Sequence, residues 1–472
     1  MSIAEEQNTI QVVNPATEAV IAEYPQWTSE QAAQRVAEVH GGFRHGRHRG
    51  LQERATAIAQ VAEALRRRRN ELALLATRQM GKPIIEAETE VERCAWISDY
   101  YAEHGPRMLH DRPFPSDAER SYLRLEPLGV ILAIMPWNFP YWQVFRAAVP
   151  ALLAGNSVLL KHASNVTGVG LAIEELIRDA TGTDDLLAAV PLRGSNLGAV
   201  IDHPAVQGVT VTGSDRTGRR VAERAGANLK KTVMELGGSD PFIVMPDADI
   251  DATIELAVEA RMLNAGQSCT AAKRMILLEP IADRFIDALR ERLQRLRPGD
   301  PEDRGTDLGP LAREDLLAQI QQQVAASVEA GAQVALGGQR LPGAGYFHEP
   351  TLLTGVRPGM EVFDQETFGP VAATIRAKDM DEAVHLANRV RYGLSASIHT
   401  RDTAAAERVV GRLRAGSVFI NGVAHYHPRI PMGGIKDSGY GRELGEPGLF
   451  EFLNTKTVWV TDHHIDTNGG DA

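Results

Sequence analysis

Two side chains in this sequence have the chemistry of covalent catalysis, and a third could support them. Cys269 lies in Asn264-AGQSCTAAK, directly after a helical stretch, where Gly266 and small polar neighbours allow a turn that presents the sulfur. A thiol attacks carbon only as thiolate and titrates near about 8.5 in isolation, so donors such as backbone N–H groups must lower that value. The competing reading is a small buried hydrophobe, the usual fate of a free cysteine. Cys94 is the contrast, since it sits on the apolar stripe of a Glu-rich helix and reads as core. Glu235 closes a hydrophobic strand in Lys231-TVMELGGSD, followed by paired glycines. Poor solvation there would raise its pKa and make it a general base; otherwise it caps a neighbouring turn. Asn138, in Met135-PWNFPY, is boxed by Trp137, Phe139 and two prolines. That setting suits a rigid amide donor to a developing oxyanion, or simply an Asn in a turn.

Phosphate recognition has a less familiar form. No G-x-G-x-x-G follows any strand. Instead Val211-TGSDRTG sets Gly213 and Gly218 around a strand-to-helix turn, with Ser214 where a helix begins. Free N–H groups at a helix start attract a pyrophosphate, although the same residues make an ordinary cap. Lys161 ends a strand and reads either as a phosphate contact or as a surface lysine. Arg66 to Arg69 form a basic run on a helix with Glu71 close behind, which is a solvated face. With no H-E-x-x-H spacing and two separated cysteines, no zinc site is supported.

The elements that must hold these residues can be read from periodicity. Apolar residues recur at helical spacing over Ala55–Met80, and again from Ile84 to Tyr101, where Ile84, Ala87, Val91, Cys94, Ser98 and Tyr101 share a stripe. The opening hundred residues therefore read as mainly helical. Arg120-SYLRLEP-Leu128 alternates with period two, as a strand pair or arm does. Short β-rich runs follow at Val130-ILAIM, Ser157-VLLK, Leu186-LAAV, Gly208-VTVT and Phe242-IVM, with helical patterns such as Trp142 to Leu153 and Thr167 to Ala180 between them. This alternation predicts right-handed crossovers and a parallel, doubly wound sheet. After Pro246 it continues with helices over Ile250 to Asn264, Ile281 to Leu296 and Glu314 to Ala330. Strands are expected at Met275-ILLE, Val371-AATI, Leu394-SASI and Ser417-VFIN, and a last one at Thr457-VWV. The fold class is thus α/β, with two doubly wound open-sheet domains joined near residue 240. The active centre is expected between them, where crevices of open sheets lie.

Composition excludes several classes. The 472 residues, 43% hydrophobic and 24% charged, suffice for more than one core. A balance of 50 basic against 61 acidic residues, net −11, argues against a nucleic-acid binder. Two cysteines cannot build a disulfide framework, which suits a reducing compartment. The opening MSIAEEQNTI has no basic and no apolar stretch, so no secretory signal is expected, and the tail DTNGGDA offers no prenylation cysteine. The greasiest stretch, Leu128 to Leu160, is interrupted by Asn138, Arg146, Pro150 and Asn156, so no membrane span is expected. A cytoplasmic protein is the simplest reading.

Taken in order, these motifs resemble one superfamily over nearly the whole chain, from Asn14-PATEAV to Ser438-GYGRELG. Met135-PWNFP, Leu160-KHAS, Val211-TGS, Met234-ELGG, Gly266-QSC, Glu366-TFGPV and Pro431-MGG match those of NAD(P)-dependent aldehyde dehydrogenases. PWNFPYWQVFR and KHASNV look most like the short succinate-semialdehyde dehydrogenases. The resemblance implies that Cys269 forms a thiohemiacetal and then a thioester, with Asn138 and the Cys269 N–H holding the oxyanion and Glu235 activating water. It implies NADP or NAD as cofactor, with Lys161 and Ser164 at the adenosine ribose and Gly213 and Ser214 at the pyrophosphate. Glu366 would anchor the nicotinamide ribose, Phe368 would lie beside the ring, and Trp137 and Leu236 would line the same site. It also implies an NAD(P)-binding domain of residues 1–112 and 128–238, a catalytic domain of 239–440, and an oligomerisation arm of 113–127 and 441–472 that forms a homodimer or homotetramer.

Departures from the pattern carry information. Many NAD-specific relatives have Glu where this chain has Ser164, so a 2′-phosphate meets no repulsion and NADP is expected to be accepted. Arg146 follows Trp142 at i and i+4, on one helix face, and matches an arginine that grips the substrate carboxylate in semialdehyde enzymes. The alternative is an arginine paired with a nearby acid. Tyr426 stands where several such enzymes have a small hydroxyl residue, and Met432 replaces the usual Phe. A reshaped mouth leaves other small aldehydes open, including a phosphonate held by His425 and His427. A different class, a nitrilase- or amidase-like hydrolase using Cys269, Glu235 and Lys161, would leave Gly213, Ser214 and Glu366 without purpose.

Overall fold

The computed structural model describes residues 9–461; the expectations for MSIAEEQN and DTNGGDA fall on residues outside that range. The chain opens with an antiparallel hairpin, β1 (Thr9–Val13) and β2 (Val20–Pro25). Sequence patterning missed it because every residue of β2 is at least partly solvent-exposed. Helices Ser29–Gly46, Leu51–Arg67, Arg69–Met80 and Ile84–Met108 follow. The first is held by a capping box, in which Thr28 accepts from the Gln31 N–H and the Gln31 side chain accepts from the Thr28 N–H. All six residues of the stripe expected from Ile84 to Tyr101 are buried. Arg66, Arg67 and Arg68 are spent on surface ion pairs, as a solvated face requires.

The sheets then form in sequence. After β3 (Arg112–Pro113) and β4 (Arg120–Pro127) comes β5 (Val130–Met135), buried at every position. A strand without a polar face belongs inside a sheet covered on both sides. It pairs in parallel with β6 (Ser157–His162) and, on its other side, with β8 (Val206–Thr212). Beyond β6 lies β7 (Leu187–Ala189), and beyond β8 lies β9 (Lys231–Glu235). The next strand, β10 (Pro241–Val244), starts a second parallel sheet. It contains β11 (Arg274–Leu278), β12 (Gln333–Leu336), β13 (Thr351–Thr354), β14 (Val371–Ala377), β15 (Ser395–His399) and β16 (Ser417–Ile420), in the order β12-β13-β14-β11-β10-β15-β16. The run Phe242-IVM, grouped by pattern with the earlier strands, thus belongs to the second layer. The short pair β12 and β13 escaped detection, and β12 is an antiparallel edge with two exposed positions.

Late in the chain, β17 (Gly439–Tyr440) returns to the first sheet and pairs antiparallel with β9, Gly439 opposite Glu235. The last strand, β18 (Leu453–Val460), pairs with β4 along its full length, and β3 completes that small antiparallel sheet. Among the described residues no helix is long and apolar enough to cross a membrane.

This topology already locates the chemistry. Asn138 follows β5, Lys161 lies in β6, Ser214 follows β8 and Glu235 ends β9, so all stand at the carboxyl edge of the first sheet. Cys269 precedes β11, while Glu366 and Phe368 precede β14, at the amino ends of the second sheet.

Candidate active site

The turn before Cys269 is bent by three successive left-handed residues, Asn264, Ala265 and Gly266, with φ of 55°, 51° and 73°. Two non-glycine residues in that region cost free energy that the surroundings must offset. At Gly266 a Cβ would lie 2.3 Å from the Gly369 carbonyl oxygen, so only glycine fits. Buried side chains hold the turn. The Asn264 amide donates to the Asn138 carbonyl at 2.7 Å, and Arg261 donates to the carbonyls of Gly266, Thr367 and Val371. Lys273 Nζ donates to the Ser268 and Cys269 carbonyls, each at 2.7 Å, and lies 3.3 Å from Glu366 Oε1. Cys269 itself is 9% exposed. Burial pushes its thiol above the ordinary value, while Arg146, Lys273 and the Tyr426 hydroxyl act in the opposite direction. The sequence reading asked for donors to lower that pKa; they are present, and desolvation outweighs them.

Asn138 meets the same turn. Its Nδ2 donates one hydrogen to the Gln267 carbonyl at 3.0 Å, which leaves the other for a ligand. The loop that carries it is anchored from behind. Glu90 accepts from the N–H groups of Tyr141 and Trp142 at 2.8 and 2.9 Å and pairs with Lys82, whose ammonium stands 4.0 Å over the Phe139 ring. Sequence reasoning missed Glu90, Lys82, Arg261 and Lys273. The available signal was charge inside apolar windows, such as Lys273 and Arg274 ahead of Met275-ILL.

Glu235 is 2% exposed and one of its carboxylate oxygens has no hydrogen-bond partner. Burial, then the neighbouring Glu443, push its pKa up to about 8, against the attraction of Arg146 and Arg442. Only its ionised form, which grows as pH rises toward that value, can take a proton from water.

Arg146 requires a correction. It shares a helix face with Trp142 as expected, but it is fully buried and ion-paired with Glu443, and its Cζ lies 5.5 Å from the centre of the Tyr426 ring. An unpaired cation open to substrate is therefore not what it presents in this structure. The arginine that faces the entry is Arg93. It lines a cavity of about 160 Å³ together with Glu86, Trp142, Glu259, Thr270 and Tyr426, and has no hydrogen bond or ion pair among the described residues. Trp142 Nε1 is buried there without a partner. Tyr426 closes the inner end, with its hydroxyl 3.6 Å from Cys269 Sγ. His425 lines the same cavity, whereas His427 packs edge-on against Trp96 at 5.0 Å.

The remaining expected residues stand at the carboxyl edge of the first sheet and before β14 of the second. Gly213 donates its N–H to the Glu235 carbonyl at 3.0 Å, and Ser214 caps helix Asp215–Ala227 by accepting from Thr217 N. Gly218 lies so close to Leu236 that a Cβ would fall 2.6 Å from its methyls. Lys161 has no ion pair among the described residues, and burial lowers its amine to about 8. Ser164 follows in a single 3-10 turn. Trp137 and Phe368 meet edge-to-face at 5.7 Å, and Glu366 accepts from Gly238 N at 3.0 Å. A desolvated amine without a counter-ion beside a helix amino end suits a polyanion such as a dinucleotide.

The family model described as "Aldehyde dehydrogenase family" matches residues 3–458. The chain belongs to the aldehyde dehydrogenase family. Membership removes the hydrolase alternative. Among the family's curated members, a probable succinate-semialdehyde dehydrogenase [NADP(+)] of Synechocystis is 43% identical over 451 residues, 96% of this chain and 99% of that one. The succinate semialdehyde dehydrogenase [NAD(P)+] Sad of Escherichia coli is 44% identical over 95% of this chain and 97% of its own. The crystal structure of succinic semialdehyde dehydrogenase from Streptococcus pyogenes in complex with NADP+ superposes with a TM-score of 0.94 at 36% identity, covering 96% and 100% of the two chains. As an aldehyde dehydrogenase the chain has the expected architecture of two parallel-dominated sheets and a small antiparallel one.

Proposed function

We propose that the protein oxidises succinate semialdehyde, or a close anionic semialdehyde, to the carboxylic acid with NADP+ or NAD+. The observation that carries this reading is the convergence of Cys269, Asn138 and Glu235 between the two sheets, in a chain so similar to enzymes of that name along its length. Cys269 Sγ attacks the aldehyde carbon to form a thiohemiacetal. The oxyanion is held by the second Asn138 amide hydrogen and the Cys269 N–H. A dinucleotide held beside the site by Glu366 and Phe368 would supply the hydride acceptor for this carbon, and Cys269 would then carry the acyl group as a thioester. Glu235 takes a proton from water, the hydroxide attacks the thioester carbon, and the thiolate departs as the acid is released.

Lys161, Ser164, Gly213 and Ser214 would hold the adenosine and pyrophosphate half, with Trp137, Leu236, Glu366 and Phe368 around the nicotinamide end. Residues 1–112 with 128–238 would then be the dinucleotide domain and 239–440 the catalytic one. The substrate carboxylate would be received in the entry cavity by Arg93 and the Trp142 indole N–H, with Tyr426 shaping its inner end. Arg146 would act from behind that ring. The sheet of β3, β4 and β18, with Trp459 exposed at 55%, would join a second copy in a homodimer or homotetramer, and the two free cysteines fit a cytoplasmic setting.

The test is a panel of succinate semialdehyde and uncharged aldehydes of equal length, run with both cofactors. Higher kcat/KM for the anion, and NADP+ turnover at least equal to that with NAD+, are expected. Ser164→Glu should move preference toward NAD+; a strong NAD+ preference of the unmodified protein would sink the cofactor reading.

A further inference from the structure

We propose that Tyr426 is a further catalytic residue, whose hydroxyl donates a hydrogen bond to the Cys269 thiolate while Thr270 and Ser268 act as positioning residues that aim it. Tyr426 Oη lies 3.6 Å from Cys269 Sγ and 3.2 Å from Thr270 Oγ1, and Thr270 Oγ1 lies 3.3 Å from Ser268 Oγ. Each hydroxyl has one hydrogen to give and lone pairs to accept with. A thiolate can only accept, so the Tyr426 hydrogen must point at sulfur. Thr270 then donates to Tyr426, and Ser268 to Thr270. The sulfur charge thereby sets the direction of every hydroxyl in the chain, and successive donors polarise one another in this partly buried setting.

The ring is held for this task. Its centre lies 5.5 Å from Arg146 Cζ and 5.7 Å from the Trp142 ring. Charged groups around the sulfur divide as follows. Arg146, from helix Trp142–Leu153, and Lys273 favour the thiolate, whereas Glu235 at the end of β9 opposes it. Glu443 pairs with Arg146 and weakens its help. With burial also disfavouring the anion, a neutral donor at hydrogen-bond range is the means left to stabilise it without another buried charge. Burial holds the Tyr426 phenol well above its ordinary value, so it remains a donor.

This inference rests on Cys269 being the nucleophile, and the test separates the two. In the full-length protein, the rate of Cys269 alkylation by iodoacetamide is followed against pH, with the modified cysteine identified by peptide mass spectrometry. Cys94, fully buried, is the internal control. Tyr426→Phe keeps the ring and removes the donor. Its alkylation midpoint should rise by about one pH unit, which slows the reaction about tenfold near neutrality. The acid limb of kcat/KM should move with it, while KM for NADP+ stays unchanged. Thr270→Val should shift the midpoint less in the same direction, and Thr270→Ser should restore it. An unmoved or lowered midpoint in Tyr426→Phe overturns the proposal. If that variant fails to fold, the Thr270→Val and Thr270→Ser pair decides by the same criterion. Alkylation confined to Cys269 that left turnover intact would instead remove the nucleophile assignment.

Discussion

The turn carrying Cys269 and the segment Val423–His427 both reach the same sulfur, yet they are built differently. The turn consists of three left-handed residues fixed by the buried side chains of Asn264, Arg261 and Lys273, all donating to backbone carbonyls. The segment has no regular secondary structure, and its residues are half-buried or exposed. It is held by side-chain contacts, Tyr426 on Trp142 and His427 on Trp96. Backbone geometry over-determined in this way leaves the nucleophile little freedom, whereas a wall held by side chains can be reshaped without disturbing it. On the proposed mechanism, chemistry would sit on the rigid side and discrimination on the adaptable one.

That contrast can be broken by experiment. Cys269→Ala should abolish dehydrogenase turnover while NADPH still quenches protein fluorescence on binding; near-normal turnover would end the assignment. Asn138→Ala should cost about 3–4 kcal/mol of transition-state stabilisation, a loss of roughly two to three powers of ten in kcat. A loss below tenfold would show that its amide is not an oxyanion donor. Smaller effects belong to the wall. Arg93→Ala should lower the preference for succinate semialdehyde over butanal about tenfold, given the worth of a charge-assisted hydrogen bond in a partly wet site. If Arg146→Ala reduced that preference more, with thermal stability retained, the anion contact would lie with Arg146 instead.

The base gives a pH signature. Because burial and the neighbouring Glu443 push the Glu235 carboxyl up to about 8, its charged, proton-accepting form should be the minority at pH 7 and grow as pH rises. Hydrolysis of the thioester, followed by single-turnover quench, should therefore climb about tenfold per unit below that value and level off above it. Glu235→Gln should flatten and lower the profile. A flat profile in the unmodified protein would mean that another group accepts the proton.

The residues proposed to do the chemistry were readable because each is local to a motif that ends or begins a strand. Cys269, Glu235 and Asn138 announce themselves by a turn glycine, a desolvating strand and a proline-boxed loop. Their supports were not readable, because the partners are distant in sequence. Nothing near Arg146 points to Glu443, and nothing in PWNFPYW points to the Glu90 carboxylate that accepts from its backbone. The strand pattern failed for a related reason. β12 and β13 are short, with β12 at an edge, and β17 is two residues whose pairing depends on β9 being present.

That last pairing has a consequence for how the enzyme is made. Gly439 lies beside Glu235, so the edge next to the base stays open until the ribosome has delivered residues near 440. Every other strand of the two parallel sheets lies earlier in the chain, so this pairing is the last to become available. A chain that ends before residue 439 should therefore lack the strand beside Glu235.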